Sequence, residues 1–245
     1  MIDARLKSIA DMICATEGDG KNTVVADVGS DHAYLPVWLY LNKKIKKAFA
    51  ADISKYSVEK IKKNIIKYNI SREIIVPVLS DGLSAFDNNF YCADEITHII
   101  IAGMGGNNIA EIVGSSDIAK QKTLIFQPNS KIEFLREFLY NNKFKITDES
   151  LVVDSKRFYT VICTEYDMNF NSIDKKLDIV DIIIGEYIRK KKQDGYNEYV
   201  NKQIRRFKNI LSDLESKNIT ERELIQTDYG NYCDIKNLIS KLENI

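Results

Sequence analysis

The chain alternates short runs of consecutive apolar residues with longer stretches in which apolar residues recur every three or four positions. In "TVVADVG", four of the five positions Val24–Val28 are apolar, as a strand buried on both faces requires. "KAFAADI", "EIIVPVLS", "ITHIIIAG" and "KTLIFQPN" share that character. Between them lie amphipathic segments: "YLPVWLYLNKK", "SVEKIKKNIIKYN", "NNIAEIVGS" and "KIEFLREFLYNN". Pro36 is tolerable in the first of these because it falls near the helix start. An opening helix carries Leu6, Ile9 and Ile13 on one face. From Lys145 to Tyr166 no helical period is present, which predicts a β-hairpin turning near Asp154–Lys156. Repeated strand–helix alternation predicts an α/β fold: a mostly parallel sheet with helices on both faces, closed by the antiparallel hairpin.

The pattern changes after "MNFNSIDK". Ile173, Leu177, Val180, Ile184 and Tyr187 recur at helical spacing, as do Tyr196, Val200, Gln203, Phe207, Ile210 and Leu214, with Gly195 between the two runs. A helical hairpin or short antiparallel coiled coil is expected, followed by "ERELIQTDYG" and a final helix. The expected organisation is a sheet domain over 1–168 and an all-helical domain over 169–245. Periodicity alone suits a cap that merely covers the sheet equally well.

Composition narrows the function classes. No uninterrupted apolar run reaches the roughly 18 residues of a membrane span, and the N-terminus lacks a signal-peptide core. A cytoplasmic protein is expected. Cys14, Cys92, Cys163 and Cys233 lie far apart, and His32 and His98 are the only histidines, so no metal centre is expected. Lys+Arg and Asp+Glu both number 35, so only the distribution of charge is informative. "NKKIKKAFA" and "YIRKKKQDGYNEYVNKQIRRFKN" are locally basic; each can meet phosphates or simply form a solvated face.

Sheets of this kind bind ligands beyond the carboxyl ends of their strands. That rule places the Asp27–His32 turn, Asp52, Asp81 and Gly103 along one edge. A dinucleotide site wants G-x-G-x-x-G after its first strand. Here only Gly29 survives, and Asp31 stands where the second glycine would be, facing a pyrophosphate it would repel. P-loop chemistry lacks its GK[ST]. S-adenosylmethionine is cationic at its sulfonium and amino group and carries no phosphate, so carboxylates at this turn attract it. Asp27 can accept from the methionyl amino group, directly or through water. Gly29 lets the backbone pass close beneath the ligand. Asp52 is placed to accept both ribose hydroxyls, and Asp81 to accept from the adenine amino group. Each aspartate alone also suits a helix N-cap; three at successive strand ends point to one site.

"ADVGSDHAYLP", "AADIS", "SDGL", "IAGMGG" and "LIFQPN", in this order, resemble the bacterial tRNA (adenine-22-N1)-methyltransferase family. "IIIGEYI" and "YNEYVNKQIRRFKNIL" resemble that family's coiled-coil domain less distinctively. The resemblance implies a Rossmann-like class I methyltransferase sheet and S-adenosylmethionine as cofactor. It also implies N1 of adenine-22, in the D-arm region of tRNA, as the target. Ser30, His32, Ile53, Gly82, Gly103, Met104 and Gly105 are expected to join Asp27, Gly29, Asp52 and Asp81 in the cofactor-binding set. Asp31 matches the family's catalytic aspartate.

Adenine N1 carries a free lone pair, so the reaction needs no base, but methylation leaves a positive charge on the ring. Asp31 is the residue expected to stabilise that charge. Gly103, Gly105 and Gly106 offer backbone groups after the fourth strand where an Asn/Asp-Pro-Pro-aromatic clamp is absent, with Met104 as an apolar wall. Asn129 can read the base edge or cap the following helix. Tyr34 is expected in the core. Arg189, Lys190, Lys191, Lys192, Arg205 and Arg206 are expected to hold tRNA phosphates. The competing readings are a small-molecule or protein methyltransferase with the helical tail as a lid, and a non-catalytic RNA-binding module.

Overall fold

The computed structural model describes residues 2–17, 22–88, 90–91, 93–170, 178–216 and 232–245. Its contacts form two compact units, Met1–Lys175 and Lys176–Ile245.

The first unit is a seven-stranded sheet of order β3-β2-β1-β4-β5-β7-β6. Its strands are β1 (Val24–Val28), β2 (Lys47–Asp52), β3 (Ile75–Leu79), β4 (His98–Gly105), β5 (Thr123–Ser130), β6 (Phe144–Asp154) and β7 (Arg157–Tyr166). The first five run parallel, and β7 pairs antiparallel with both β5 and β6. Every residue of β1 is buried, because helices cover both faces. Val24, Ala26 and Val28 pack into one core cluster with Ile109, Val113, Leu135 and Leu139. These come from α5 (Gly106–Gly114) and α6 (Ile132–Asn141). Val25 enters the other cluster with Ile9, Ile13, Leu39, Ile61 and Ile65. Those belong to α1 (Ala4–Glu17), α2 (Tyr34–Leu41) and α3 (Lys55–Lys67). The α1 stripe expected at Ile9 and Ile13 is therefore inward-facing, and the hairpin forms where the helical period is missing. A short α4 (Ser84–Asp87) follows β3.

Strand order reverses between β1 and β4, so the crevice at their carboxyl ends is the topological switch point. At the opposite end of β4 lies His98, fully buried, with Thr97 Oγ1 2.8 Å from Nδ1 and Thr16 Oγ1 2.7 Å from Nε2. Burial pushes its pKa down to about 4, so the ring is a neutral structural group at physiological pH.

The second unit contains α7 (Ile179–Ile184), α8 (Glu186–Lys191), α9 (Tyr196–Ser216) and α10 (Tyr232–Glu243). The α9 stripe buries Tyr196, Val200, Gln203, Phe207 and Leu214, with Ile210 half-buried. Its packing partner is α10, through residues such as Ile235 and Leu238. The upstream run differs from one continuous helix. Gly185, at φ 101°, divides α7 from α8, and the buried side chain after the break is Ile188 rather than Tyr187. Only glycine enters that backbone region without strain, so the period loses phase there. Ile173 and Leu177 lie outside the described residues, as does "ERELIQTDYG". Among the described residues no helix is long and apolar enough to cross a membrane, and no three His, Cys, Asp or Glu side chains form a metal-binding group.

Candidate active site

The turn after β1 departs from ordinary backbone at three residues: Gly29 at φ 75°, Asp31 at φ 48° and Ala33 at φ 54°. The amides of Gly29 and Ser30 both donate to the Ala51 carbonyl, at 2.9 and 3.0 Å, which ties the turn to β2. Gly29 adopts a backbone angle that glycine enters without strain, and Met104 Cε lies close beside it.

Asp27 and Asp31 leave this turn into different environments. Asp27 is buried, and the Ser30 hydroxyl donates to its Oδ2 at 2.5 Å. Burial pushes the Asp27 pKa up to about 6; the Ser30 bond opposes this, Asp52 adds to it, and the Arg5 cation opposes it. Asp31 is exposed. The Lys60 ammonium donates to its Oδ1, the Ser57 hydroxyl donates to the same oxygen at 3.3 Å, and His32 Nε2 lies 3.4 Å from Oδ2. The Lys60 bond, aided by His32 and Ser57, holds its pKa below the usual carboxylate range. Two carboxylates four residues apart thus have opposite character: one retains a proton toward neutrality, the other is a fixed anion.

Asp52 joins this turn to the cleft. Its Oδ2 accepts from the Asp31 amide at 3.1 Å and its Oδ1 from the Ser54 amide at 2.9 Å. The same residue lines a cleft of about 750 Å³ together with Gly29, Ile53, Asp81, Gly82, Gly103 and Met104. Asp27, Ser30, Asp31, His32, Gly105 and Asn129 do not line it; Asp31 stands beside it through Asp52. Sequence reasoning missed Ser80, Asp87, Asn108, Glu111 and Ser116, which complete the wall. Asp87 on α4 and Asn108 and Glu111 on α5 look like any solvated helix face, and Ser80 and Ser116, outside the helices, look like ordinary loop serines, so no local signal marks them.

The lining fits a cationic, hydroxyl-rich ligand without phosphates. Among the described residues it contains Asp52, Asp81, Asp87 and Glu111 but no lysine or arginine. The Ser116 hydroxyl in this wall is buried without a hydrogen-bond partner, an arrangement that a polar ligand group would relieve. S-adenosylmethionine meets both conditions, whereas a pyrophosphate would face four carboxylates.

Two side chains differ from expectation. Tyr34 is 52% exposed, not core. The inward face of α2 is taken by Leu35, Val37 and Leu39, which turns Tyr34 outward, where it stacks on His32 at 5.0 Å between ring centroids. Asn129 does not cap α6, whose N-cap position is Lys131. Its Nδ2 donates instead to the Gly103 carbonyl at 2.8 Å.

The basic residues of the second unit divide. Arg189 makes a two-pronged bond to Asp181, Nε to Oδ1 at 2.8 Å and Nη2 to Oδ2 at 3.1 Å, and is half-buried. Lys190 pairs with Glu186 at 2.6 Å. Arg206 donates to Gln203 Oε1 at 2.9 Å and lies over the Phe207 ring. Lys191, Lys192 and Arg205 are exposed; Lys192 Nζ also donates to the Ile245 carbonyl at 3.4 Å and lies over the Tyr196 ring.

Residues 25–229 match the TrmK family, tRNA (adenine(22)-N(1))-methyltransferase. The tRNA (adenine(22)-N(1))-methyltransferase of Bacillus subtilis (strain 168) is 28% identical over 223 residues, covering 90% of this chain and 89% of that protein. Among solved structures, M. capricolum TrmK in complex with S-adenosyl-homocysteine superposes with a TM-score of 0.75 at 26% identity, covering 100% of this chain and 97% of that one. A Streptococcus pneumoniae protein in complex with S-adenosyl-L-methionine does so with a TM-score of 0.75 at 27% identity, covering 99% of each chain.

Proposed function

The chain belongs to the tRNA (adenine(22)-N(1))-methyltransferase family, and on that premise we propose that its cleft holds S-adenosylmethionine while Asp31 faces the adenine to be methylated at N1. The observation that carries this reading is the Asp52 carboxylate, which borders the cleft and accepts from the Asp31 amide. Any ligand seated on Asp52 therefore lies next to Asp31. When bound, the cofactor supplies a methyl group already activated by its sulfonium. The protein has to align that methyl with the N1 lone pair, and orientation of this kind is worth several kcal/mol, up to about 10. Asp31 meets the positive charge that appears on the ring. Because Lys60 keeps it ionised, it serves as a fixed counter-charge and not as a proton acceptor. Asp52 takes the ribose hydroxyls and Asp81 the adenine end of the cofactor. Asp27, buried next to the cleft-lining Val28 and Gly29, answers the methionyl ammonium through water.

The direct test is transfer of labelled methyl from S-adenosylmethionine to unmodified bacterial tRNA, followed by digestion to nucleosides. N1-methyladenosine is the expected product. Cofactor binding without any tRNA product would favour a small-molecule or protein methyltransferase.

The raised pKa of Asp27 makes cofactor affinity dependent on pH. The free protein keeps this proton up to about pH 6, while a bound ammonium favours the anion. Affinity is therefore expected to rise with pH through 6 and then level off, weakening by up to about tenfold per pH unit below that point. Calorimetry from pH 5 to 8 in buffers of different ionisation enthalpy checks this, because proton release must accompany binding at the acidic end. Asp27→Asn should flatten the profile; a wild-type profile already flat would remove Asp27 from the cofactor site.

For the helical unit, the exposed Lys191, Lys192 and Arg205 are the residues proposed to hold tRNA phosphates. Reversing all three charges is expected to weaken tRNA binding. It should also reduce the salt slope of binding by about one for each phosphate no longer held, with cofactor affinity unchanged. An unaltered slope would leave the unit as a structural cap.

A further inference from the structure

A chain of hydrogen bonds runs from α1 to the wall of the cleft. Arg5 Nη1 donates to Gln127 Oε1 at 2.8 Å. Gln127 Nε2 donates to the Pro128 carbonyl and to Asn129 Oδ1, both at 3.0 Å. Asn129 Nδ2 donates to the Gly103 carbonyl at 2.8 Å. The chain is one-way. A guanidinium can only donate, so it demands the oxygen of Gln127. That leaves the Gln127 amide nitrogen facing Asn129, which in turn fixes the Asn129 nitrogen against Gly103. Gln127 is fully buried and has no solvent to offset a flipped amide, which would set donor against donor and oxygen against oxygen.

The end of the chain is mechanically significant. Gly103 sits at φ 78°, and the β4–β5 pairing is irregular on either side of Met104, so no regular ladder holds this peptide. Gly103 and Met104 both line the cleft, and Met104 packs against the Gly29 backbone. The Arg5 guanidinium also lies 3.6 Å from where a Cβ on Gly103 would stand.

Resting on the function proposed above, we propose that Arg5 is a positioning residue for methyl transfer: through the amide polarity of Gln127 and Asn129 it clamps the Gly103 carbonyl in the cleft wall. Arg5 lies outside the 25–229 segment that defines the family match, so the first helix contributes to the site as well as to the core. The relay orders the wall opposite Gly29 rather than touching the reacting atoms.

Gln127→Glu is the most informative variant, because it is nearly isosteric and keeps the acceptor for Arg5, yet it cannot donate to Asn129. If the relay sets the wall, Gln127→Glu and Arg5→Met should each lower kcat by about 10- to 100-fold, the scale of a small misplacement, with KM for tRNA little changed. The double variant Arg5→Met/Gln127→Met should be no worse than either single one, and Arg5→Lys should recover part of the rate. A purely structural Arg5 predicts the reverse: Gln127→Glu, with its ion pair, retains wild-type kcat.

A second measurement needs no turnover. In cofactor-free wild-type protein the buried Gln127 side-chain amide protons should exchange slowly with solvent, and in Arg5→Met they should exchange markedly faster. Equal exchange in the two proteins would overturn the relay. Failure of the wild type to form N1-methyladenosine, with the exchange difference intact, would instead count against the proposed function alone.

Discussion

Replacing Asp31 with asparagine is expected to lower kcat for tRNA methylation by about 100- to 1,000-fold, the cost of removing a preorganised group from a developing charge. Affinity for S-adenosylmethionine should be unchanged. Asparagine is the right replacement because residue 31 sits at φ 48°, a region that asparagine enters far more readily than alanine. It also keeps the backbone amide that donates to Asp52, so the cofactor side of the turn stays assembled. What disappears is the negative charge that Lys60, Ser57 and His32 surround. Since Lys60 keeps Asp31 ionised well below neutrality, the wild-type rate should show no titration from this group between pH 6 and 8. Single-turnover measurements with saturating cofactor and tRNA separate the chemical step from binding. A variant that keeps wild-type kcat would remove Asp31 from the reaction and leave it a structural partner of α3.

The second large effect is expected at Asp52. Asp52→Ala should weaken S-adenosylmethionine binding by at least about 100-fold, since two hydrogen bonds to a charged acceptor are each worth roughly 1.5–3 kcal/mol. Unlike Asp31→Asn, it should also lower kcat when the cofactor is saturating. Its Oδ2 is the acceptor for the Asp31 amide and its Oδ1 for the Ser54 amide, so the alanine releases the Asp31 turn and the start of α3 together. Asp52→Asn, which retains one acceptor oxygen, should fall between the two. Calorimetry with S-adenosylhomocysteine reads the binding loss, and single-turnover rates read the second effect. Loss of affinity without loss of rate would mean that the cleft and the Asp31 turn are not coupled through this carboxylate.

The two predictions differ in how far they could be anticipated. Asp27, Asp31, Asp52 and Asp81 were legible because each stands where an apolar run stops, and a parallel sheet gathers its strand ends on one edge. Which of them lines the cleft was not legible. Asp52 and Asp81 do, while Asp27 is buried with a raised pKa, because burial depends on what packs above the strand end. Asn129 was legible as a polar residue at the end of β5 but not as the partner of Gly103. Asp87 and Glu111 carried no mark at all, since polar residues on helices are the ordinary solvated case, and Ser116, just past the end of α5, carried none either.

By itself the sequence determined the element order, the parallel sheet with its closing hairpin and the edge where chemistry collects. These follow from hydrophobic period, which is a local property repeated along the chain. It also disfavoured a pyrophosphate cofactor through Asp31, a local feature of one turn. Only the tertiary structure decided the pairing of Lys60 with Asp31, 29 residues apart, and of Arg5 with Gln127, 122 residues apart. It alone turned Tyr34 outward, broke the helical run at Gly185 and set α9 against α10. Those outcomes depend on which surfaces meet when the sheet closes, and neither period nor composition records the partner of an individual side chain.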